Sequence, residues 1–193
     1  MSLIEELPAE LGVARHRWTV DQYERMAETG LLAPDARVEL IEGVIVDMAA
    51  IGSRHAATVK RLIRALTSAV GTRAILQVQD PLRLGDFSEP EPDLALLNPC
   101  DDFYASATPT AADALLVIEV AQTSAAYDRR IKLPLYATHG VPEVWIVDLD
   151  ASLVHFHRQP HGERYLEITS TAAPGPTPVL LLPGVMIDLT GVL

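Results

Sequence analysis

The chain has 193 residues, 49% hydrophobic and 21% charged, a composition typical of a one-domain globular protein, and its single cysteine, Cys100, excludes an intramolecular disulfide. Its 26 acidic side chains outnumber the 15 lysines and arginines, and the net charge of −11 argues against a surface that grips a polyanion over a wide area. The acidic segment 1–10 is not typical of a secretory signal, and no apolar run is long enough to span a membrane, so we predict a cytoplasmic protein.

The N-terminal part predicts a short helix followed by a hairpin. Thr19 and Gln22 have the spacing of a capping box for a helix over 19–29, which Gly30 can end in a left-handed conformation. β-Branched residues stand on both sides of Glu42-Gly43. This pattern indicates two strands joined by a tight turn.

A second helix and three strands follow. Ser53 is predicted to cap the helix, which reaches about Val70 and has an alanine- and leucine-rich face. Strands are expected at 73–79, 93–97 and 114–121, where short apolar runs are bounded by polar loops.

A strand, helix and strand come next at the spacing of a crossover unit. The helix is predicted from Thr123 or Ser124 to about His139, and 141–148 resumes as a buried strand. Such connections normally join parallel strands. Pro134 should kink the helix, because it removes a backbone donor and crowds the preceding turn.

The rest of the chain predicts hairpin and meander strands over about 151–189, with a surface loop at 171–178. We find no repeat and no boundary, so 1–193 is expected to form one domain with its core at about 19–148. Two histidines in this part, His155 and His157, share one side of a strand. With His161 they could hold a transition metal, or they could simply face solvent.

Two carboxylates lie in apolar strand sequence, 26 residues apart. Asp93 opens one strand and Glu119 lies in the middle of another. An isolated ionised carboxylate in an apolar core is very costly, so these acids need cations or a metal. Magnesium prefers oxygen ligands, and both carboxylates and the carbonyl of Val120 could converge on one ion if the strands are neighbours.

Lys132, on the following helix, is the candidate for orienting a water or stabilising charge on a phosphoryl group. Asp128, Lys132 and Tyr136 are spaced four apart and share a face, while Ile131 and Leu135 point to a neighbouring apolar face. The alternative is that Asp128 and Lys132 form a surface ion pair that contributes a few tenths of a kcal/mol.

The ordered motifs ELIEG at 39–43, a histidine opening a helix, PDL at 92–94, EV at 119–120, and DRRIKLPLY with GVPEVWIVD over 128–148 carry a resemblance. The chain resembles the Uma-two family of restriction-endonuclease-like proteins, also labelled domain of unknown function 820, within the PD-(D/E)XK nuclease superfamily. The resemblance implies an α/β fold with a restriction-endonuclease-like core, in which helices flank a central mixed sheet and C-terminal strands are added.

The resemblance also implies roles for individual residues. Asp93 and Glu119 match the two acids, and Lys132 matches a lysine that has moved onto the helix from its usual place two residues after the glutamate. Glu39 matches a further acid on the entering hairpin, and His55 matches the histidine that opens the second helix. Before the resemblance is considered, Glu39 could equally pair with Arg37 or Arg54.

We therefore predict a Mg²⁺-dependent endonuclease that hydrolyses DNA, with Mn²⁺ able to substitute and with a homodimer expected by analogy with the superfamily. The alternatives are a non-catalytic homodimeric interaction module that retains the fold, and a hydrolase of small phosphoesters. No membrane partner is expected. Two basic stretches could line one cleft or could be solvated helix faces: Arg54, Lys60, Arg61, Arg64 and Arg73, and then Arg129, Arg130 and Lys132.

Overall fold

The computed structural model describes residues 16–33 and 35–193. The segment 1–10, on which the absence of a secretory signal was predicted, lies outside the described residues. Along residues 16–33 and 35–193, no helix combines the length and apolarity needed to cross a membrane.

The first helix and the hairpin form as predicted. α1 (Val20–Glu28) begins after Thr19, whose side chain and that of Gln22 complete the capping box. β1 (Val38–Ile41) and β2 (Val44–Asp47) pair antiparallel with Ile41 opposite Val44. The two turn residues both have positive φ, 49° at Glu42 and 82° at Gly43, which is the geometry of a tight two-residue hairpin turn.

α2 (Ser53–Val70) has the predicted length, but the predicted cap is wrong. Gly52 occupies the N-cap position and Ser53 is already helical, with no side-chain hydrogen bond capping the helix. Leu62 and Leu66 are fully buried, so the predicted apolar face packs into the core.

A six-stranded mixed sheet forms the centre of the fold, in the order β3-β4-β5-β6-β7-β8. β5 and β6 pair parallel and all other neighbours pair antiparallel, which confirms the predicted crossover. The strands are β3 (Ile75–Val78), β4 (Leu94–Leu97), β5 (Ala114–Ala121), β6 (Glu143–Asp148), β7 (Leu153–His161) and β8 (Arg164–Thr171).

The crossover helix over 125–138 is interrupted by a wider turn. α3 (Ala125–Tyr127) runs into a π-helical turn (Asp128–Lys132) and then α4 (Leu133–Thr138). The N–H of Leu133 donates to the carbonyl of Asp128, five residues back, immediately before Pro134. The predicted disturbance at Pro134 thus takes the form of a π turn, a feature often found at functional sites. Ile131 is 43% exposed, so its predicted place on the apolar face is wrong.

Two apolar layers cover the faces of the sheet. One contains α2, Trp145 of β6 and the C-terminal residues around Ile187. The other contains α4, whose Leu135 and Tyr136 pack against Val117 and Ile146. A separate two-stranded sheet joins β9 (Pro176–Pro178) to β10 (Met186–Asp188). The loop predicted at 171–178 is therefore wrong at 176–178 and at Thr171, which ends β8.

Candidate functional site

A cavity of about 540 Å³ opens where the β1–β2 hairpin, the start of α2, the ends of β4 and β5, and the helix over 125–138 meet. Strand pairing explains this convergence, because β4 begins one residue after Asp93 and runs antiparallel to β5, which continues past Ile118, the partner of Leu94, to Ala121. The cavity is lined by every residue predicted for the site: Glu39, His55, Asp93, Glu119, Val120 and Lys132.

Asp93 is held by three hydrogen bonds. Its Oδ2 accepts from Nε2 of His55 at 3.0 Å and from the backbone N–H of Val120 at 2.8 Å. Its Oδ1 accepts from Nε2 of Gln79 at 3.1 Å. Burial alone would raise the pKa of Asp93, but the hydrogen bonds and the charge of His55 bring it below its ordinary value. Asp93 is therefore an ionised carboxylate at neutral pH.

Lys132 lies between two buried carboxylates. Its Nζ is 3.0 Å from Oε2 of Glu39 and 3.3 Å from Oε1 of Glu119, and its side chain is only 6% exposed. Burial alone would lower the pKa of Lys132, but Glu119 and Glu39 raise it above its ordinary value. Asp128 is also buried, so the alternative of an exposed Asp128–Lys132 ion pair is wrong.

Glu119 is a buried acid of the cavity, with 4% of its surface exposed. Burial raises its pKa to about 8, although Lys132 opposes the shift. The hydroxyl of Tyr136 donates to Oε1 at 2.7 Å and fixes the carboxyl group from the side of α4. Asp93 and Asp128 also raise the pKa of Glu119, because their negative charges lie near it. A cation beside Glu119 would lower this pKa.

Glu39 is fixed by contacts from three directions. Besides Lys132, its Oε1 accepts from the hydroxyl of Tyr127 at 3.1 Å and its Oε2 from the backbone N–H of Glu91 at 3.2 Å. Arg37 instead donates to the carbonyl of Ala49, and Arg54 contacts Asp150 and the carbonyl of Leu149. The alternative pairing of Glu39 with either arginine is therefore wrong.

The sequence analysis gave no role to four residues of this site. Tyr127, Tyr136 and Gln79 orient Glu39, Glu119 and Asp93 respectively, and Asp128 lines the cavity with its Oδ2 accepting from Ser124. The four-residue spacing of Asp128, Lys132 and Tyr136 was a usable signal. The placement of Gln79, which has a φ of 51°, depends on tertiary structure alone.

The donor set fits a divalent cation in its chemistry. Six carboxyl side chains line the cavity, and the cations that line it are Lys132 and Arg37. In a strand the C=O of a residue points to the same side as its N–H, so the carbonyl of Val120 is on the side of Asp93. Within residues 16–33 and 35–193, however, no three Asp, Glu, His or Cys side chains stand together in the arrangement that holds an ion. A metal would have to draw these oxygens together.

The two basic stretches do not form one cleft. The residues of the first stretch are exposed along or near α2: Arg54, Lys60, Arg61, Arg64 and Arg73. Of the second stretch, only Lys132 lines the cavity, and Arg129 pairs with Asp148. The alternative that these residues form a solvated helix face therefore holds for the first stretch.

The histidines of β7 do not form a three-ligand site. His155 and His157 share a side of the strand, with ring centroids 6.3 Å apart. His157 is buried rather than solvent-facing, and burial lowers its pKa to about 4. His161 is exposed at the end of the strand. The alternative of solvent-facing histidines is thus wrong for His157, and the described residues contain no metal cluster that includes them.

A family model for Uma2, described as "Putative restriction endonuclease", matches residues 20–190. The chain is also similar to a solved structure from Anabaena variabilis ATCC 29413, titled as a putative nuclease belonging to DUF820. The two are 20% identical with a TM-score of 0.66, and the match covers 83% of this chain and 88% of that one. No curated protein matches the chain.

The mixed sheet flanked by helices defines a nuclease-like α/β fold, which confirms the predicted fold class. The acidic cavity with its buried lysine lies beside the inner strands β4 and β5 of that sheet. The chain belongs to the Uma2 family, as the motifs indicated. Membership of this family supports the interpretation of the protein as a nuclease.

Proposed function

We propose that the protein is a Mg²⁺-dependent endonuclease of the PD-(D/E)XK type that hydrolyses DNA phosphodiester bonds, with Mn²⁺ able to substitute. The observation that carries this proposal is the buried ammonium of Lys132, bonded to Glu39 and Glu119 in a cavity that also contains Asp93. A charged lysine is expensive to bury, and its place among carboxylates is easily understood if it acts on an anionic substrate.

Asp93, Glu119 and the carbonyl of Val120 would hold the metal ion. When bound, the ion supplies an activated water and offsets the charge that grows on the phosphoryl group. His55 donates to Asp93 and keeps one carboxylate oxygen in a fixed direction. The hydroxyl of Tyr136 does the same for Glu119.

Lys132 would donate through Nζ to a non-bridging oxygen of the scissile phosphate and stabilise its developing charge. Glu39 positions this ammonium, and the hydroxyl of Tyr127 positions Glu39. Arg37, at the rim of the same cavity, offers a second contact for a phosphate. The net charge of −11 opposes DNA contact over a wide surface, so DNA binding should be weak at high salt.

The test is metal-stimulated cleavage of a supercoiled plasmid and of single-stranded DNA. Asp93→Asn and Glu119→Gln should each reduce cleavage by about 100-fold or more, the scale on which one group that stabilises a transition state acts. Glu163→Gln removes the same charge from the exposed β7–β8 turn and should cleave as the wild type does. Cleavage that persists in both site variants, with unchanged folding by circular dichroism, would refute the assignment.

Two other functions each have an observation in their favour. The acidic balance and the lack of a three-ligand cluster in the described residues favour a non-catalytic homodimeric module. The cavity volume of about 540 Å³ is in the range of small-molecule sites and favours a small-phosphoester hydrolase.

Three measurements separate these possibilities. For a nuclease, Mg²⁺ should raise the melting temperature of the wild type more than that of Asp93→Asn, and DNA should bind at low salt. A dimer in analytical ultracentrifugation without either effect supports the interaction module. Turnover of a chromogenic phosphodiester without DNA binding supports the small-molecule hydrolase.

A further inference from the structure

A second cavity, of about 810 Å³, lies beside the candidate site, between α1, the segment before β1 and the loop around Thr108. Glu91 lines both cavities. The walls of the second cavity combine carboxylates with apolar side chains. Its acids are Glu24, Glu28, Glu89 and Glu91, and its apolar residues include Ala27, Leu32 and Val38.

Glu89 is the most unusual residue of this cavity. It is only 3% exposed, and its Oε2 accepts no hydrogen bond from any residue in the described part of the chain. Its backbone cannot move away easily, because its N–H donates to the carbonyl of Leu40 at 2.7 Å and its carbonyl accepts from Leu40 at 3.3 Å. A buried carboxylate oxygen without a donor costs free energy, so the position calls for a ligand that supplies one.

Glu24 brings a second carboxyl group within hydrogen-bonding reach of Glu89. Two carboxylates can share a hydrogen bond only if one of them holds a proton. Burial, and then the charge of Glu24, raise the pKa of Glu89 to about 7. A cationic donor placed between the two groups would satisfy both without this proton.

The polar neighbours along the described chain do not supply that donor. Arg83 lines the cavity, but its guanidinium contacts Asp21 at 2.9 Å and Asp86 at 3.8 Å. The hydroxyl of Tyr23 donates to the carbonyl of Val38 at 2.9 Å. The cavity thus presents an acidic pair, Glu24 and Glu89, whose hydrogen-bonding capacity remains open.

We propose that this cavity binds an aliphatic polyamine, with one ammonium group between Glu24 and Glu89 and the methylene chain against Ala27, Leu32 and Val38. A primary ammonium has three N–H donors and can serve both carboxylates at once. The apolar wall suits methylene groups and offers nothing to a hydrated metal ion. Glu28 and Glu91 extend the negative lining for a second ammonium group.

The test is isothermal titration calorimetry of spermidine against the full chain at low ionic strength and without DNA. We expect saturable 1:1 binding, weakened at least tenfold in Glu89→Gln and in Glu24→Gln. Glutamine keeps the shape of glutamate and supplies an N–H donor to the remaining carboxylate, so both variants should fold. Asp93→Asn should retain binding, which keeps this result separate from the outcome of the nuclease test.

Non-specific attraction to an acidic protein is controlled by Glu163→Gln, which removes the same charge from an exposed turn. The proposal is overturned if this control loses as much affinity as Glu89→Gln, or if spermidine shows no saturable binding. It is also overturned if Mg²⁺ binds at Glu24 and Glu89 more tightly than spermidine, because the site would then be a metal site.

Discussion

Replacing Lys132 with methionine removes a charge and keeps most of the side chain's length. The ammonium of Lys132 contacts Glu39 at 3.0 Å and Glu119 at 3.3 Å. The exposed fraction is 5% for Lys132, 2% for Glu39 and 4% for Glu119. Removing one partner of a buried ion pair costs about 3 to 5 kcal/mol, because it leaves uncompensated charge in the core. A surface pair would cost less than about 1 kcal/mol. A buried and a surface ion pair at Lys132 therefore predict different losses in the free energy of unfolding when the lysine is replaced.

The assay is urea unfolding at pH 7, followed by circular dichroism, with Lys60→Met on the exposed side of α2 as the matched control. We expect a loss of about 3 kcal/mol or more for Lys132→Met and less than about 0.5 kcal/mol for the control. Lys132 lowers the pKa of Glu119, so its removal raises that pKa further. The loss should therefore grow as the pH rises above about 8, where Glu119 ionises in the wild type but not in the variant. Adding Glu119→Gln to Lys132→Met should recover part of the stability. A loss below about 1 kcal/mol, independent of pH, would refute the reasoning.

Three further predictions concern contacts around the two cavities and the hairpin. Tyr136→Phe removes the hydroxyl that donates to Glu119 and should cost about 1 to 2 kcal/mol in urea unfolding, with a parallel loss of metal-stimulated cleavage. The pKa of Glu89 is raised from its ordinary 4.5 to about 7 in the folded protein, so the wild type should lose stability from pH 5 to pH 8. Glu89→Gln should reduce that loss by about 1 kcal/mol or more. Equal pH profiles of the two proteins would contradict this prediction. Gly43→Ala should destabilise the protein more than Gly162→Ala in urea unfolding. Both glycines have positive φ, but a Cβ at Gly43 would lie 2.5 Å from Cβ of Arg17, whereas a Cβ at Gly162 would meet nothing within 4 Å.

Local patterns were enough to place most elements. The capping box at Thr19, the turn at Glu42-Gly43 and the parallel crossover between β5 and β6 follow from rules that act over a few residues or one connection. The predicted cap at Ser53 is wrong because Gly52, one residue earlier, takes the extended conformation of an N-cap residue, although it has no side chain to cap the helix with a hydrogen bond.

The residues predicted for the site all line one cavity, although their contacts with one another were not predicted. The apolar setting of Asp93 and Glu119 and the family motifs were the signals that singled them out. Helical spacing placed Lys132 on a face with Asp128 and Tyr136, and all three lie at the site, but it indicated neither the π turn before Pro134 nor the contacts of Nζ with Glu39 and Glu119. A 3.6-residue period cannot anticipate a turn with five-residue hydrogen bonds.

By itself, the sequence determined the fold class, and it singled out two carboxylates and a lysine as candidates for the site, because hydrophobic periodicity and the order of short motifs are properties of neighbouring residues. Only the tertiary structure decided that Lys132 lies between Glu39 and Glu119, that His55 and Gln79 hold Asp93, and that a second acidic cavity adjoins the first. These contacts join residues many positions apart in the chain. Their energies depend on burial and on distances of a few ångströms, which are set when the sheet and helices pack together.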